Sequence, residues 1–341
     1  MKVLSVIIPS YNCPGFLEKN IPSYFAPEVL DKLDIIIVND GSRDNTAEAA
    51  EVFCRMYPDS VRLISQENKG HGGALNTGFA AARGKYLKPV DADDWVETRN
   101  LPQLIEALEN CESDVVLTHY NMVDISTGEV SKYKTYPARF GVPMTMEELV
   151  GDFRNFYRCT TFHGMAYKTA FFREHGAVYS QHVFYEDNEY ATFPFCYASS
   201  ITPLDLFVYD YRVGDVNQSI SLSNQVKRQS HTRTVVTRML REYSQLPEGP
   251  GRTYTALKTQ AVVMNYLMVA LMADPDKKTA RKQAAEQMAL LRQQAPEIYG
   301  MLRKKYLVYQ VLDRLHISKT KWESFLHSGF YNRLRGNHGF E

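Results

Sequence analysis

The sequence predicts a doubly wound α/β sheet followed by a helical C-terminal extension. The sheet is signalled first by two nearly uninterrupted β-branched runs, "VLSVIIP" (Val3 to Pro9) and "LDIIIVND" (Leu33 to Asp40). Runs of this kind belong to strands covered on both faces, as in a parallel sheet. The second signal is that such runs alternate with helical stretches, the order of a fold with helices on both faces of its sheet. The extension is signalled by a change beyond Asn224, after which almost everything reads helical with one break at "LPEGPGR".

In order along the chain, "NTAEAAEVFCRMY" follows the second strand as a helix, with Asp44 or Asn45 available as its cap. "VRLISQE" reads as a third strand, and "GGALNTGFAAARG" as a small-residue helix closed by Gly84. "KYLKPVDA" reads as a fourth strand, "NLPQLIEALEN" as a helix and "DVVLTHYNMVD" as a fifth strand. From about Gly128 to Tyr211 the pattern is mixed and aromatic-rich, with a hairpin at "STGEVSKY" and a helix around "TMEELVGDF". A domain boundary is expected at residue 222, separating residues 1–222 (halves 1–125 and 126–222) from a helical region, 223–341.

The chain has 341 residues, and its 39 basic and 39 acidic side chains balance, so no global charge argues for nucleic acid. The balance is uneven along the chain. From Arg252 onward lie 15 basic and 7 acidic residues, which leaves 24 and 32 in the rest. Five cysteines stand far apart with no C-x-x-C pair, against both a zinc site and a disulfide framework, and in keeping with a reducing compartment. Met1 leads directly into an apolar segment without the charged, apolar and cleavage regions of a secretion signal. The longest apolar run, "VVMNYLMVALM", contains Asn265 and falls well short of the roughly 20 residues that cross a bilayer. These features lead to the expectation of a cytoplasmic protein, peripheral at most on the inner membrane face.

In doubly wound sheets ligands gather at the carboxyl ends of the strands. Here those ends carry Asp40, Glu67 with Asn68, and Asp91 with Asp93. "GKYLKPVDADDW" sets Asp91, Asp93 and Asp94 within four residues, and three like charges this close resist burial unless something cationic or solvating meets them. If the strand continues, Asp91 and Asp93 project to one side and Ala92 to the other. Two such carboxylates with phosphate oxygens complete an octahedral shell around a divalent cation. Asp93 or Asp94 could equally cap the helix that follows Trp95. Asp40 before Gly41 can accept hydrogen bonds from a base or ribose, though Asp-Gly is also an ordinary turn. "NKGHGG" places Gly70, Gly72 and Gly73 ahead of a helix, a setting that exposes N–H groups to an anion, but it is not a Walker loop.

Together, "SVIIPSYN", "IIIVNDGSRDNT", "ENKGHGGALNTG", "GKYLKPVDADDW" and the later "YEDNEY" resemble the family 2 glycosyltransferases of the GT-A fold, over about the first 220 residues. The resemblance implies a nucleotide-sugar donor, with Pro9 and Tyr11 lining the nucleobase pocket and Asp40 and Asn68 contacting uracil. It implies Asp91 on the ribose or sugar, Asp93 ligating Mn²⁺ or Mg²⁺ on the diphosphate, and Asp94 near the donor sugar. From the family's Glu-Asp motif it implies Asp187 as the base that deprotonates the acceptor, with Glu186 orienting the loop or acceptor. Without the resemblance, "YEDNEY" reads as an acidic helix start. Arg212, in an aromatic-basic loop similar to a family segment, is a candidate phosphate contact, and His163 before Gly164 could reach the acceptor site or the metal. One departure is visible. Many family members carry Ala-Arg-Asn where this chain has Ala74, Leu75 and Asn76, so the arginine's part must pass elsewhere, with Lys69 one candidate.

The expected activity is therefore inverting, metal-dependent transfer from a UDP-sugar to a hydroxyl acceptor, a glycan or a lipid-linked one, in cell-surface polysaccharide or glycolipid synthesis. A polyprenyl-phosphate sugar synthase, a nucleotidyltransferase and a silent carbohydrate-binding protein are the competing readings. The basic tail "IYGMLRKKYLVYQVLDRLHISKTKWESFLHSGFYNRLRG" has the composition of a helix on an anionic membrane surface, and also that of a subdomain packed on the catalytic domain or on a second copy.

Overall fold

The computed structural model describes residues 1–215 and 218–326, so the end of the basic tail lies outside the described residues. The chain forms two compact units: Met1–Val216 with Leu246–Thr255, and Asn217–Gln245 with Ala256–Glu341. Leu246–Thr255, which the sequence alone assigns to the helical region, belongs to the first unit. Tyr254 explains why: it is fully buried, and its hydroxyl donates to the carbonyl of Ala191 at 2.7 Å.

The first unit is built on a nine-stranded sheet. Strands β1 (Leu4–Ser10), β2 (Leu33–Asp40), β3 (Val61–Gln66) and β4 (Tyr86–Pro89) lie parallel in the order β3-β2-β1-β4. Every residue of β1 and β2 is buried. Their alternate side chains enter two different cores: Val6, Ile8, Ile35 and Ile37 on one face, Ile7, Ile36 and Val38 on the other. Continuous apolar runs follow directly from this two-sided burial. Helices α1 (Pro14–Asn20), α2 (Thr46–Met56) and α3 (Gly70–Ala81) connect these strands, and α4 (Leu101–Asn110) turns Leu101, Leu104, Ile105 and Leu108 inward.

Beyond β4 the sheet becomes mixed. It continues through β5 (Trp95–Val96), β6 (Val115–Asp124), β7 (Val130–Tyr133), β8 (Met165–Lys168) and β9 (Ile201–Val213). Strand β8 is antiparallel to both β4 and β6, β9 runs parallel to β6, β5 pairs antiparallel with β9, and β7 forms the expected hairpin with β6. The expected helix around "TMEELVGDF" starts with a capping box, Thr145 and Glu148 satisfying each other's backbone N–H groups. All five cysteines are free thiols. In the second unit, helices Gln229–Gln245, Lys277–Gln294 and Pro296–Arg314 share a core that includes Val236, Leu240, Met288, Leu291 and Leu302.

The amino ends of the parallel strands are tied by a buried acid. Asp34, 2% exposed, accepts from Arg62 Nε at 2.8 Å, Ser5 Oγ at 2.7 Å and the Arg83 N–H at 3.0 Å. Replacing Asp34 by Ala takes the acceptor from the Ser5 hydroxyl and the charge partner from Arg62, while the Arg83 N–H keeps Ser5 Oγ, so we expect a loss of about 2–3 kcal/mol of unfolding free energy in urea denaturation. An unchanged midpoint would show that the node carries no net stability.

Candidate active site

The carboxyl ends of the parallel strands converge as the sequence suggests, and each functional side chain has a local reason for its place. Asp40, the last residue of β2, is 3% exposed; its Oδ1 accepts from Gln66 Nε2 at 2.6 Å and from the Lys69 N–H at 2.9 Å. Asn68 Nδ2 donates to the Asp40 carbonyl at 2.9 Å, so these two residues share one end of the cleft. Gly41 makes that approach feasible: its φ is +71°, and a Cβ there would lie 2.8 Å from the Asn68 nitrogen. Pro9 is buried within β1, while Tyr11 just beyond it is 47% exposed.

The aspartate cluster departs from the strand expectation. β4 ends at Pro89, and Asp91 to Asp94 form a turn closed by the Asp94 N–H on the Asp91 carbonyl at 3.1 Å. A turn does not alternate side chains between two faces, and the three carboxylates meet three different environments. Asp94, expected near the donor sugar, is instead 1% exposed; its Oδ1 accepts the Arg212 N–H at 2.7 Å and its Oδ2 accepts the Tyr209 hydroxyl. Burial first, then the charges of Asp91 and Asp93, push its carboxyl well above the ordinary value. Asp94 thus anchors β9 behind the cleft. Asp93 remains about one-third exposed, with Arg212 Nη1 3.6 Å away; Arg212 Nη2 also bonds Asp215 at 3.1 Å, and its guanidinium lies 5.0 Å from the Phe16 ring centre. Asn20 holds the turn from below, donating to the carbonyls of Asp91 and Asp94 at 3.0 and 2.9 Å.

Asp91 meets a residue that sequence reading passed over. His71 Nε2 lies 2.8 Å from Asp91 Oδ1, and His71 Nδ1 lies 2.6 Å from Glu186 Oε1. Carboxylates accept, so with both acids ionised both ring nitrogens donate and the ring is an imidazolium. Burial works against that charge, but Asp91 and Glu186 outweigh it and hold the His71 pKa well above its ordinary value. Burial likewise opposes the Asp91 charge, yet His71 holds the Asp91 carboxyl below its usual range. Glu186 is 3% exposed. Its neighbour Asp187 opens the short helix Asp187–Tyr190 and accepts from Asn188 Nδ2 at 3.1 Å. The third acid of that segment, Glu189, is fully buried and accepts from the N–H and Oγ of Ser180 at 2.9 and 2.6 Å.

Gly70, Gly72 and Gly73 open α3 and allow a close approach of the segment that precedes Glu186. Ser180 to His182 lies against them, with the His182 N–H donating to the Lys69 carbonyl at 3.2 Å. A Cβ on Gly72 would lie 2.1 Å from the Ser180 carbonyl oxygen and 3.1 Å from Glu186 Cγ. Leu75, where the family arginine is missing, is fully buried in the core beneath α3.

His163 forms no ion pair among the described residues, although the Asp91 charge reaches it. Its ring packs against Tyr120, Tyr209 and Tyr211 at 5.1, 4.9 and 4.2 Å between centroids, and burial lowers its pKa to about 4. Beneath it, Lys88 is 2% exposed, donates to the carbonyls of His163 and Met165, and is lowered by burial to about 7. Tyr211 joins the pieces: after burial, the charges of Asp94, Asp91, Asp187 and Asp93 all raise its pKa, which brings the carboxylates of the fourth strand end and of "YEDNEY" into one electrostatic neighbourhood. Among the described residues no three His, Cys, Asp or Glu side chains gather as a self-contained metal cage. The hard oxygen of a partly exposed Asp93 suits an ion that takes most of its ligands from a diphosphate.

The sequence pattern of Glycosyl transferase family 2 matches residues 5–184. This chain belongs to glycosyl transferase family 2. It is 33% identical over 149 residues to the glycosyltransferase GlyG of Streptococcus pneumoniae, covering 43% of this chain and 47% of that protein. It is 39% identical over 114 residues to the uncharacterized glycosyltransferase EpsJ of Bacillus subtilis, 33% of either chain. The chain thus spans less than half the length of these relatives. Among solved structures it resembles S. aureus TarS 1–349 in complex with UDP-GlcNAc, with a TM-score of 0.64, 16% identity and coverage of 100% of this chain and 94% of that one. That likeness is one of fold, and the fold is GT-A with a helical C-terminal region.

Because a Gly72 side chain would collide with backbone, Gly72→Ala should displace Ser180 to Glu186. We expect a clear fall in melting temperature and a loss of transferase activity on the order of 10²-fold, since misplacement by about 1 Å costs that much. A neutral Gly72→Ala would mean that the segment's position is not set by this contact.

Proposed function

We propose that the protein is an inverting glycosyltransferase that moves a sugar from a UDP-sugar to a hydroxyl acceptor with the help of Mn²⁺ or Mg²⁺. The observation that supports this reading most is the bridge from Asp91 through His71 to Glu186, at 2.8 and 2.6 Å, which sets the turn that carries the metal-ligand candidate Asp93 and the residue before the base candidate Asp187 beside one cleft. The UDP-GlcNAc bound to the TarS fold relative favours uridine as the nucleotide. Asp40 and Asn68 would receive the uracil beside Tyr11 and Pro9, and Asp91 the ribose or sugar.

In this reading Asp187 takes the proton of the acceptor hydroxyl as its oxygen attacks the anomeric carbon, and the bond to the diphosphate breaks with its electron pair on the departing oxygen. Asp93 would hold the cation, which when bound offsets the charge that develops on the leaving diphosphate. Arg212, clamped between Asp93 and Asp215, is positioned as a second cation for that charge. The acceptor is a glycan or lipid-linked hydroxyl in surface polysaccharide or glycolipid synthesis, made at the cytoplasmic face.

No helix among the described residues is long and apolar enough to cross a membrane. A peripheral contact is supported by the helix Pro296–Arg314, where Leu307, Val308 and Val311 are 60, 44 and 51% exposed beside exposed Arg303, Lys304 and Arg314. A basic and apolar surface suits an anionic bilayer.

Two measurements test these readings. UDP with Mn²⁺ should raise the melting temperature by several degrees; Asp93→Asn should lose the Mn²⁺-dependent part, and Asp187→Asn should keep the shift while UDP release from a UDP-sugar panel falls by roughly 10²–10⁴-fold. A wild type unmoved by UDP and Mn²⁺ would sink the proposal. Co-sedimentation with phosphatidylglycerol vesicles should exceed that with phosphatidylcholine vesicles and drop in Leu307→Glu/Val311→Glu. Equal recovery in both pellets would instead leave that face to a second copy of the chain.

A further inference from the structure

We propose that His71 is the positioning residue that sets the base, tying the donor side of the cleft to the turn that carries Asp187. The assignment rests on the transferase reading of this site and adds to it a part for a residue outside the expected motifs. His71 is the first side chain after Gly70, whose φ of +75° lets the chain pass within contact of His182. From there its two nitrogens reach Asp91, at the end of β4, and Glu186, more than a hundred residues later, at 2.8 and 2.6 Å. The imidazole is therefore a strut between the strand ends that would hold the donor and the turn that would meet the acceptor.

The turn needs such a strut. Tyr185, immediately before Glu186, has a φ of 72°, a left-handed conformation that a tyrosine keeps only where its surroundings enforce it. Glu186 is nearly fully buried and the side chain that answers its charge is His71. Gly72, one residue past His71, leaves room for the Glu186 side chain, which a Cβ would meet at 3.1 Å. With the strut in place, Asp187 follows at a fixed point of a helical turn. Without it, Glu186 loses its partner, the turn after Tyr185 loses one of the contacts that fix it, and Asp187 moves relative to Asp91.

A positioning role is separable from a merely structural one by what it leaves intact. His71→Phe keeps a ring beside Phe162, whose centroid lies 5.9 Å away, and removes both N–H groups. His71→Gln keeps two N–H donors on one nitrogen but no charge. The assay is UDP release from the UDP-sugar panel as a function of donor concentration, together with the melting-temperature shift produced by UDP and Mn²⁺. We expect kcat in His71→Phe to fall on the order of 10²-fold, the donor KM to rise by far less than that because Asp91 also loses its partner, the UDP-Mn²⁺ shift to stay within about one or two degrees of wild type, and His71→Gln to recover about ten-fold of the lost kcat. Should His71→Phe not fold, Glu186→Gln removes the same bridge from its other end and is expected to show the same split. An undiminished kcat in the folded variant, or kcat, KM and the UDP shift failing together with no recovery in His71→Gln, overturns the assignment. If the wild type itself neither releases UDP nor gains stability from it, the transferase reading of the site falls and the assignment with it; a responsive wild type beside an unimpaired His71→Phe removes His71 alone.

Discussion

Like charges held a few ångströms apart must be separated, paired or neutralised, and the turn Asp91 to Asp94 does all three within four residues. Asp94 goes inward, where the Tyr209 hydroxyl and the Arg212 N–H take its two oxygens. Asp91 goes to an imidazolium, and Asp93 faces a guanidinium. Each solution recruits a different element: β9 for Asp94 and Asp93, the start of α3 for Asp91, and the end of α1 through Asn20 for the turn's carbonyls. Dispersing the charge therefore also assembles the cleft, because every partner that relieves the repulsion comes from a wall of it.

This arrangement needs a rigid floor. The side chains of β1 and β2 fill both cores at once, so neither strand can slip without exposing one of them, and a register shift of one residue would exchange the faces entirely. The carboxyl ends of β2 and β4 are thereby fixed relative to each other, as the His71 bridge requires. At the opposite ends, Asp34 and Ser5 tie β2, β1 and the residues after α3 together.

The parallel half of the fold was legible because two-sided burial writes itself as uninterrupted β-branched runs, and the glycines and caps between them mark the turns. The mixed half was legible in part: β6 and its hairpin with β7 stood out, but β8 has only four residues, with a pattern that fits core strand and core helix alike, and its partners β4 and β6 are set by tertiary packing. Within the site, the acidic strand ends stood out as a composition that burial disfavours. The division of labour among them did not, since whether Asp94 faces in or out depends on Tyr209, more than a hundred residues away. His71 was invisible for the same reason. A lone histidine among glycines carries no signal until Glu186 is brought beside it, and only the structure shows that Gly72 leaves room for that side chain.

Leu75 gives the arrangement its last constraint. A leucine buried in the core under α3 lets the helix pack closely on β1 and β2, but it leaves that wall of the cleft without the guanidinium many relatives carry. Positive charge is instead supplied from two other places: His71 at the helix start, and Arg212 on β9, whose side chain is only 14% exposed and held by Asp93, Asp215 and the Phe16 ring. A guanidinium fixed on three sides loses little rotamer freedom when an anion arrives, whereas an exposed lysine such as Lys69 must be ordered at that moment. On the proposed reading, the cost of losing the arginine from α3 is offset by preorganising one on the opposite wall, and the same guanidinium then serves Asp93 before the diphosphate binds and the diphosphate afterwards.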